Sequence, residues 1–91
     1  MTFTERLRSA KAGAGLSIEE MAIFFDGMSK QTMWSWLKGR VPKPYHADQA
    51  EQWLDRLERL LKRKSPLFPI PMSVRQGDRH SYVASIRKRY T

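Results

Sequence analysis

The sequence predicts an all-α fold: a small helical domain with a central helix-turn-helix, a long fourth helix and a proline-containing basic carboxy-terminal extension. Three observations carry this expectation. Capping boxes of the form Ser/Thr-x-x-Glu stand at Thr2–Glu5 and Ser17–Glu20, each followed by apolar residues at helical intervals. Ala47, Ala50, Trp53, Leu54, Leu57, Leu60 and Leu61 form one continuous apolar stripe with the three-and-four periodicity of a helix. Turn formers separate these segments: Gly13 with Gly15, Asp26-Gly27, Gly39, and the prolines at 42 and 44.

The first helix is expected from about residue 3 to Lys11 or Ala12, with Phe3, Leu7 and Ala10 inward and both Gly13 and Gly15 in the loop that ends it. A second helix starts at Ser17, supported by Leu16 and Met21 as a flanking hydrophobic pair, and ends at Phe25. Asp26-Gly27 then turns the chain, and Ser29 caps a third helix that Gly39 terminates. Met33, Trp36 and Leu37 lie on one apolar stripe, which assigns Trp36 to the core, while Lys30, Gln31, Trp34, Ser35 and Lys38 fall largely elsewhere. Two short helices joined by a tight turn constitute a helix-turn-helix.

Val41-Pro42-Lys43-Pro44 breaks the chain, and the long helix is expected from about Ala47 to Lys62. Asp48 and Glu51 then fall in its first turn, and Lys62, Arg63 and Lys64 at its end, matching the helix dipole. The stripe either completes the core or leaves Leu57 to Leu61 for a second copy of the chain. Pro66, Pro69 and Pro71 force an extended strap, whose Leu67, Phe68 and Ile70 suit packing on the domain over Ile23 or Trp34. Residues 79–90 fit a helix capped by Asp78, with Tyr82, Val83, Ile86 and Tyr90 on one side, a strand, or a solvated, disordered terminus. The domains are therefore 1–64, the helix-turn-helix unit, and 65–91, the strap and basic extension.

Charge points to a polyanionic partner. Lysine and arginine total 17 against nine acidic residues, for a net +8. Residues 1–61 hold nine basic and eight acidic side chains, a net of +1, whereas residues 62–91 hold eight and one, a net of +7. Lys30, Lys38, Arg40 and Lys43 form a run without acids around the third helix, while Glu19, Glu20 and Asp26 precede it. No cysteine is present, so neither disulfides nor cysteine zinc sites arise, and His46 and His80 stand far apart, which argues against a metal cluster. No apolar run reaches membrane-spanning length and no signal-peptide stretch opens the chain, so a cytoplasmic location is expected. Nucleophile–histidine pairs and glycine-rich phosphate loops are lacking, so no catalytic residue, enzyme activity or cofactor is expected.

Leu16, Ser17, Glu19, Glu20, Met21 and Ala22, then Met28, Ser29, Thr32, Met33, Trp36, Gly39, Arg40 and Pro42, follow the pattern Leu-Ser-x-Glu-Glu-apolar-Ala, apolar-Ser-x-x-Thr-apolar-x-x-Trp-x-x-Gly, Arg-x-Pro. In this the segment Leu16 to Pro44 resembles the helix-turn-helix of the phage-repressor and Cro-like, or xenobiotic-response-element, DNA-binding family. The turn at Asp26-Gly27 is one residue longer than is usual there, and Ile18 stands where many members carry a polar phosphate contact.

The resemblance implies a bacterial or phage-type transcriptional regulator that reads double-stranded DNA as a repressor would, with the third helix in the major groove and Ser29, Lys30, Gln31, Trp34 and Ser35 toward the bases. Residue chemistry fits: Gln31 can pair with adenine, Lys30 with guanine or a phosphate, and Trp34 with a thymine methyl or sugar. Arginine is absent from this face, which suits an A·T-leaning site or modest discrimination. Lys38, Arg40 and Lys43 are placed for phosphates, and Arg87, Lys88 and Arg89 for contacts that follow the backbone without reading sequence. A homodimer through the helix 47–62 or the carboxy-terminal extension would match paired half-sites. The alternative function is a protein-interaction module, such as a phage-encoded modulator of a host protein or an antitoxin-like partner, using Trp34, the strap and the long helix.

Overall fold

Thr2 and Ser17 start helices because their hydroxyls accept amides that the first turn leaves unpaired. In a computed structural model that describes residues 1–89, Thr2 Oγ1 accepts from the Glu5 amide at 3.1 Å. Ser17 forms the full reciprocal box: its Oγ accepts from the Glu20 amide at 3.1 Å and Glu20 Oε1 accepts from the Ser17 amide at 2.8 Å. The all-α class is observed, with α1 at Phe3–Ala14, α2 at Ile18–Phe24, α3 at Lys30–Leu37, α4 at Pro44–Lys62 and α5 at Arg79–Lys88; a 3-10 turn, Gln76–Asp78, leads into α5.

Several boundaries differ from expectation for identifiable reasons. Gly13 lies inside α1, not in the loop, and a Cβ there would meet Leu61 Cδ1 of α4 at 3.3 Å, so its hydrogen lets the two helices approach. Gly15 alone makes the turn, at φ 64°, with its amide on the Ala12 carbonyl and the Leu16 amide on the Lys11 carbonyl. Gly39 closes α3 in the same way, its amide on Trp36 and that of Arg40 on Ser35.

Helix α4 begins at Pro44, three residues before the expected Ala47. Proline breaks a helix from within yet suits its first position, where the missing amide hydrogen has no partner to lose. Asp48 and Glu51 consequently lie beyond the first turn, which contains no acidic residue. Residues 79–88 resolve as helix rather than strand, but Asp78 makes no side-chain cap. Tyr90, expected on the apolar side of this helix, lies outside the described residues.

One core unites the helices and the strap. Phe24, fully buried, has its ring centroid 5.5 Å from Trp53 of α4, 6.0 Å from Phe68 of the strap and 6.1 Å from Phe25. The aromatic series continues through Phe25 to Trp36 of α3 at 6.4 Å and from Trp36 to Phe3 of α1 at 5.9 Å. The strap therefore covers Phe24 and not Trp34, which remains exposed. Val83 and Ile86 of α5 join the same core, and so do Leu57 and Leu60. The distal stripe of α4, considered for a second copy, is thus filled from within the chain.

Candidate nucleic-acid interface

Helix α3 is fixed at both ends and along one side. At its start Ser29 Oγ accepts from the Thr32 amide at 3.1 Å and donates to Thr32 Oγ1 at 2.8 Å. At its end two side chains of α1 bind carbonyls of the last turn: Thr4 Oγ1 donates to Trp36 O at 3.0 Å, which also accepts from the Gly39 amide, and Arg8 Nε donates to Leu37 O at 2.7 Å. Met33, Trp36 and Leu37 bury the inner side. The outer side is thereby presented on a rigid support.

That side opens into a groove of about 570 Å³, formed where α3 meets residues 38–46 at the start of α4. Gln31, Trp34 and Ser35 line it from α3, Lys38, Arg40 and Lys43 from the connection, and Tyr45 and His46 from the first turn of α4. No carboxylate lines it, and none of the three cations has an acidic partner among the described residues. Trp34 is 51% exposed, with the Lys38 ammonium 5.3 Å from its ring centroid. Tyr45 is 72% exposed and its ring lies 4.3 Å from that of His46, which in turn meets Trp36 edge-on at 6.2 Å. The groove thus combines amide and hydroxyl hydrogen-bonding groups, exposed aromatic rings and uncompensated positive charge.

No protein-family model, curated protein or solved structure matches this chain.

The expected contact residues divide into those the groove brings together and those engaged elsewhere. Gln31, Trp34, Ser35, Lys38, Arg40 and Lys43 share it, although Ser35 Oγ donates to Thr32 O at 2.8 Å and keeps only its acceptor side open. Ser29 lies outside, its hydroxyl committed to the cap. Lys30 also lies outside and pairs with Glu19 Oε1 at 2.9 Å, so the charges separated in the sequence meet in space. This contact is the largest cause of the lowered Glu19 pKa.

Arg87, expected to follow a phosphate backbone, is half-buried and tied to the α2–α3 turn by an ion pair with Asp26 at 3.1 Å. Asp26 adopts φ 65° beside Gly27 at φ 76°, so this left-handed pair forms the longer turn and also receives α5. Lys88 and Arg89 are exposed, and neither lines the groove.

Helix α5 is clamped at its other end by a buried carboxylate. Glu20 is 3% exposed and accepts from Arg79 Nε at 2.7 Å and Arg79 Nη2 at 2.9 Å, while Nη2 also reaches Gly15 O at 2.7 Å. The Arg79 hydrogen bonds hold the Glu20 carboxyl at about 2, against the opposing effect of burial. Arg79 thereby joins the start of α5 to the N-terminal turn of α2 and the C-terminal turn of α1.

Sequence reasoning missed Tyr45 and His46 because it began α4 at Ala47. Pro44 was the available signal, since proline at a first helical position places the next two residues in the opening turn. Arg8 and Thr4 had no comparable signal, because their partners lie 29 and 32 residues away in the chain.

Proposed function

We propose that this protein is a sequence-specific double-stranded DNA-binding regulator of the phage-repressor helix-turn-helix type, in which α3 enters the major groove. The observation that carries this reading is the groove beside α3, where Gln31 and Trp34 share a surface with Lys38, Arg40 and Lys43 and no carboxylate intervenes. An α-helix fits a B-DNA major groove about 12 Å wide, and a phosphate strand bordering it would then lie along the three cations. Gln31 has the paired donor and acceptor that adenine requires. Asp26 and Gly27, both at positive φ, form the turn between α2 and α3, and Arg87 pairs with Asp26 there.

Gln31→Ala tests the assignment. Fluorescence anisotropy against a selected duplex and a scrambled duplex should show a loss of about 1–3 kcal/mol on the selected site with little change on the scrambled one. Equal losses on both would remove the base-reading role. A protein-interaction role is the second reading, favoured by the exposure of Trp34, Val41 and Tyr45 near one another in the chain fold. Retained folding with no duplex binding of any sequence would transfer support to it.

A further inference from the structure

Major-groove reading uses Gln31 and the edge of Trp34, but it gives no work to Tyr45. In a duplex the flat faces of the bases are covered by their neighbours, so a protein ring meets only base edges, methyl groups and sugars. Exposed aromatic faces in a cationic groove have a different natural occupant, a strand whose bases are unpaired and unstacked. We infer that the groove between α3 and the start of α4 also binds single-stranded DNA, with bases stacking on Tyr45 and Trp34 and phosphates held by Lys38, Arg40 and Lys43.

Four features of the groove support this occupant. Its volume of about 570 Å³ is sufficient for a nucleotide-sized group. Tyr45 is 72% exposed, and its ring lies tilted at 4.3 Å from that of His46, which is itself braced edge-on by buried Trp36. A ring held in advance loses less freedom on stacking. The Lys38 ammonium lies over the Trp34 ring, 5.3 Å from its centroid, which sets a phosphate-binding cation at the aromatic surface. Charge complementarity favours a polyanionic occupant, since Arg40 and Lys43 complete the rim with no carboxylate among the lining residues. The inference rests on the groove being a nucleic-acid site, as proposed above, and is independent of α3 reading sequence.

The test compares an end-labelled oligothymidylate with a blunt duplex of equal length, each titrated by anisotropy into the full chain and into Tyr45→Ala and Tyr45→Phe. Tyr45 is exposed, so both variants retain the fold, which circular dichroism verifies. Loss of one stacked base lowers affinity by roughly 5- to 150-fold. The expected result is a loss in that range for Tyr45→Ala on oligothymidylate, a much smaller loss on duplex, and recovery in Tyr45→Phe. Equal losses on both nucleic acids, or oligothymidylate binding indifferent to Tyr45→Ala, would overturn the inference while leaving duplex reading intact. Tighter binding of oligouridylate would overturn the assignment to DNA. Tyr45-dependent oligothymidylate binding alongside a failure of Gln31→Ala to distinguish duplex sequences would support the inference and defeat the major-groove reading alone.

Discussion

Glu19 restrains the one lysine of α3's first turn. Its carboxylate holds Lys30 at 2.9 Å and also faces His80 at 3.7 Å, so under the proposed function Lys30 would have to leave this partner to contact DNA. Exposed pairs of this kind are weak and screened by salt, and Glu19→Gln should therefore tighten duplex binding modestly, by up to about 5-fold at low salt. Unchanged or weakened binding in an anisotropy titration would show that Lys30 takes no part. Glu20 has a structural task. Its carboxyl titrates at about 2 in the folded protein against an ordinary value of 4.5, so the stabilisation is complete above the ordinary value and is lost as pH falls toward 2. The shift corresponds to about 3 kcal/mol at neutral pH. Urea midpoints measured from neutral pH down to about pH 2.5 should fall, and Glu20→Gln should start lower and lose this component of the slope. An unaltered slope would place the acid sensitivity elsewhere.

At the scale of elements, the strap and α5 belong to the core and are not accessories. Phe68 fills the space over Phe24, and Phe68→Ala should cost about 3–5 kcal/mol, read as a lowered thermal midpoint with loss of cooperativity. A loss below about 1 kcal/mol would mean that the strap rests on the surface. The helices themselves were legible because their signals are local: Thr2–Glu5, Ser17–Glu20 and Ser29–Thr32 are caps whose partners stand three residues apart, and Gly15 and Gly39 close helices through their own backbone. What joins the helices was not legible. Glu20 meets Arg79 across 59 residues, and Arg6 meets Glu58 across 52 while also binding Glu51 and Asp55, pairings that no spacing announces. Gly13 and Pro44 were visible but ambiguous, since glycine serves both loops and close helix crossings, and proline both breaks helices and begins them.

Across the whole molecule, the excess positive charge is organised by partnership more than by position in the chain. Arg79 and Arg87, two of the extension's cations, are engaged with Glu20 and Asp26, whereas Lys38, Arg40 and Lys43 remain without acidic partners among the described residues. The groove is thus a second candidate for the electrostatic footprint beside the carboxy-terminal end. Deleting the residues after Lys64 would not isolate a tail, because Phe68, Val83 and Ile86 would leave the core with it. No helix among the described residues is long and apolar enough to cross a membrane. The filled stripe of α4 leaves paired half-sites to be explained by some other face of the chain, should they be found. Central to this account is that α3 reads duplex sequence through the face it shares with the groove. Selection of bound sequences from a random duplex library at about physiological salt tests it most directly. The account predicts an enriched motif, leaning toward A·T pairs, that Gln31→Ala blurs at one position; no enrichment above input, with the protein folded, would contradict it.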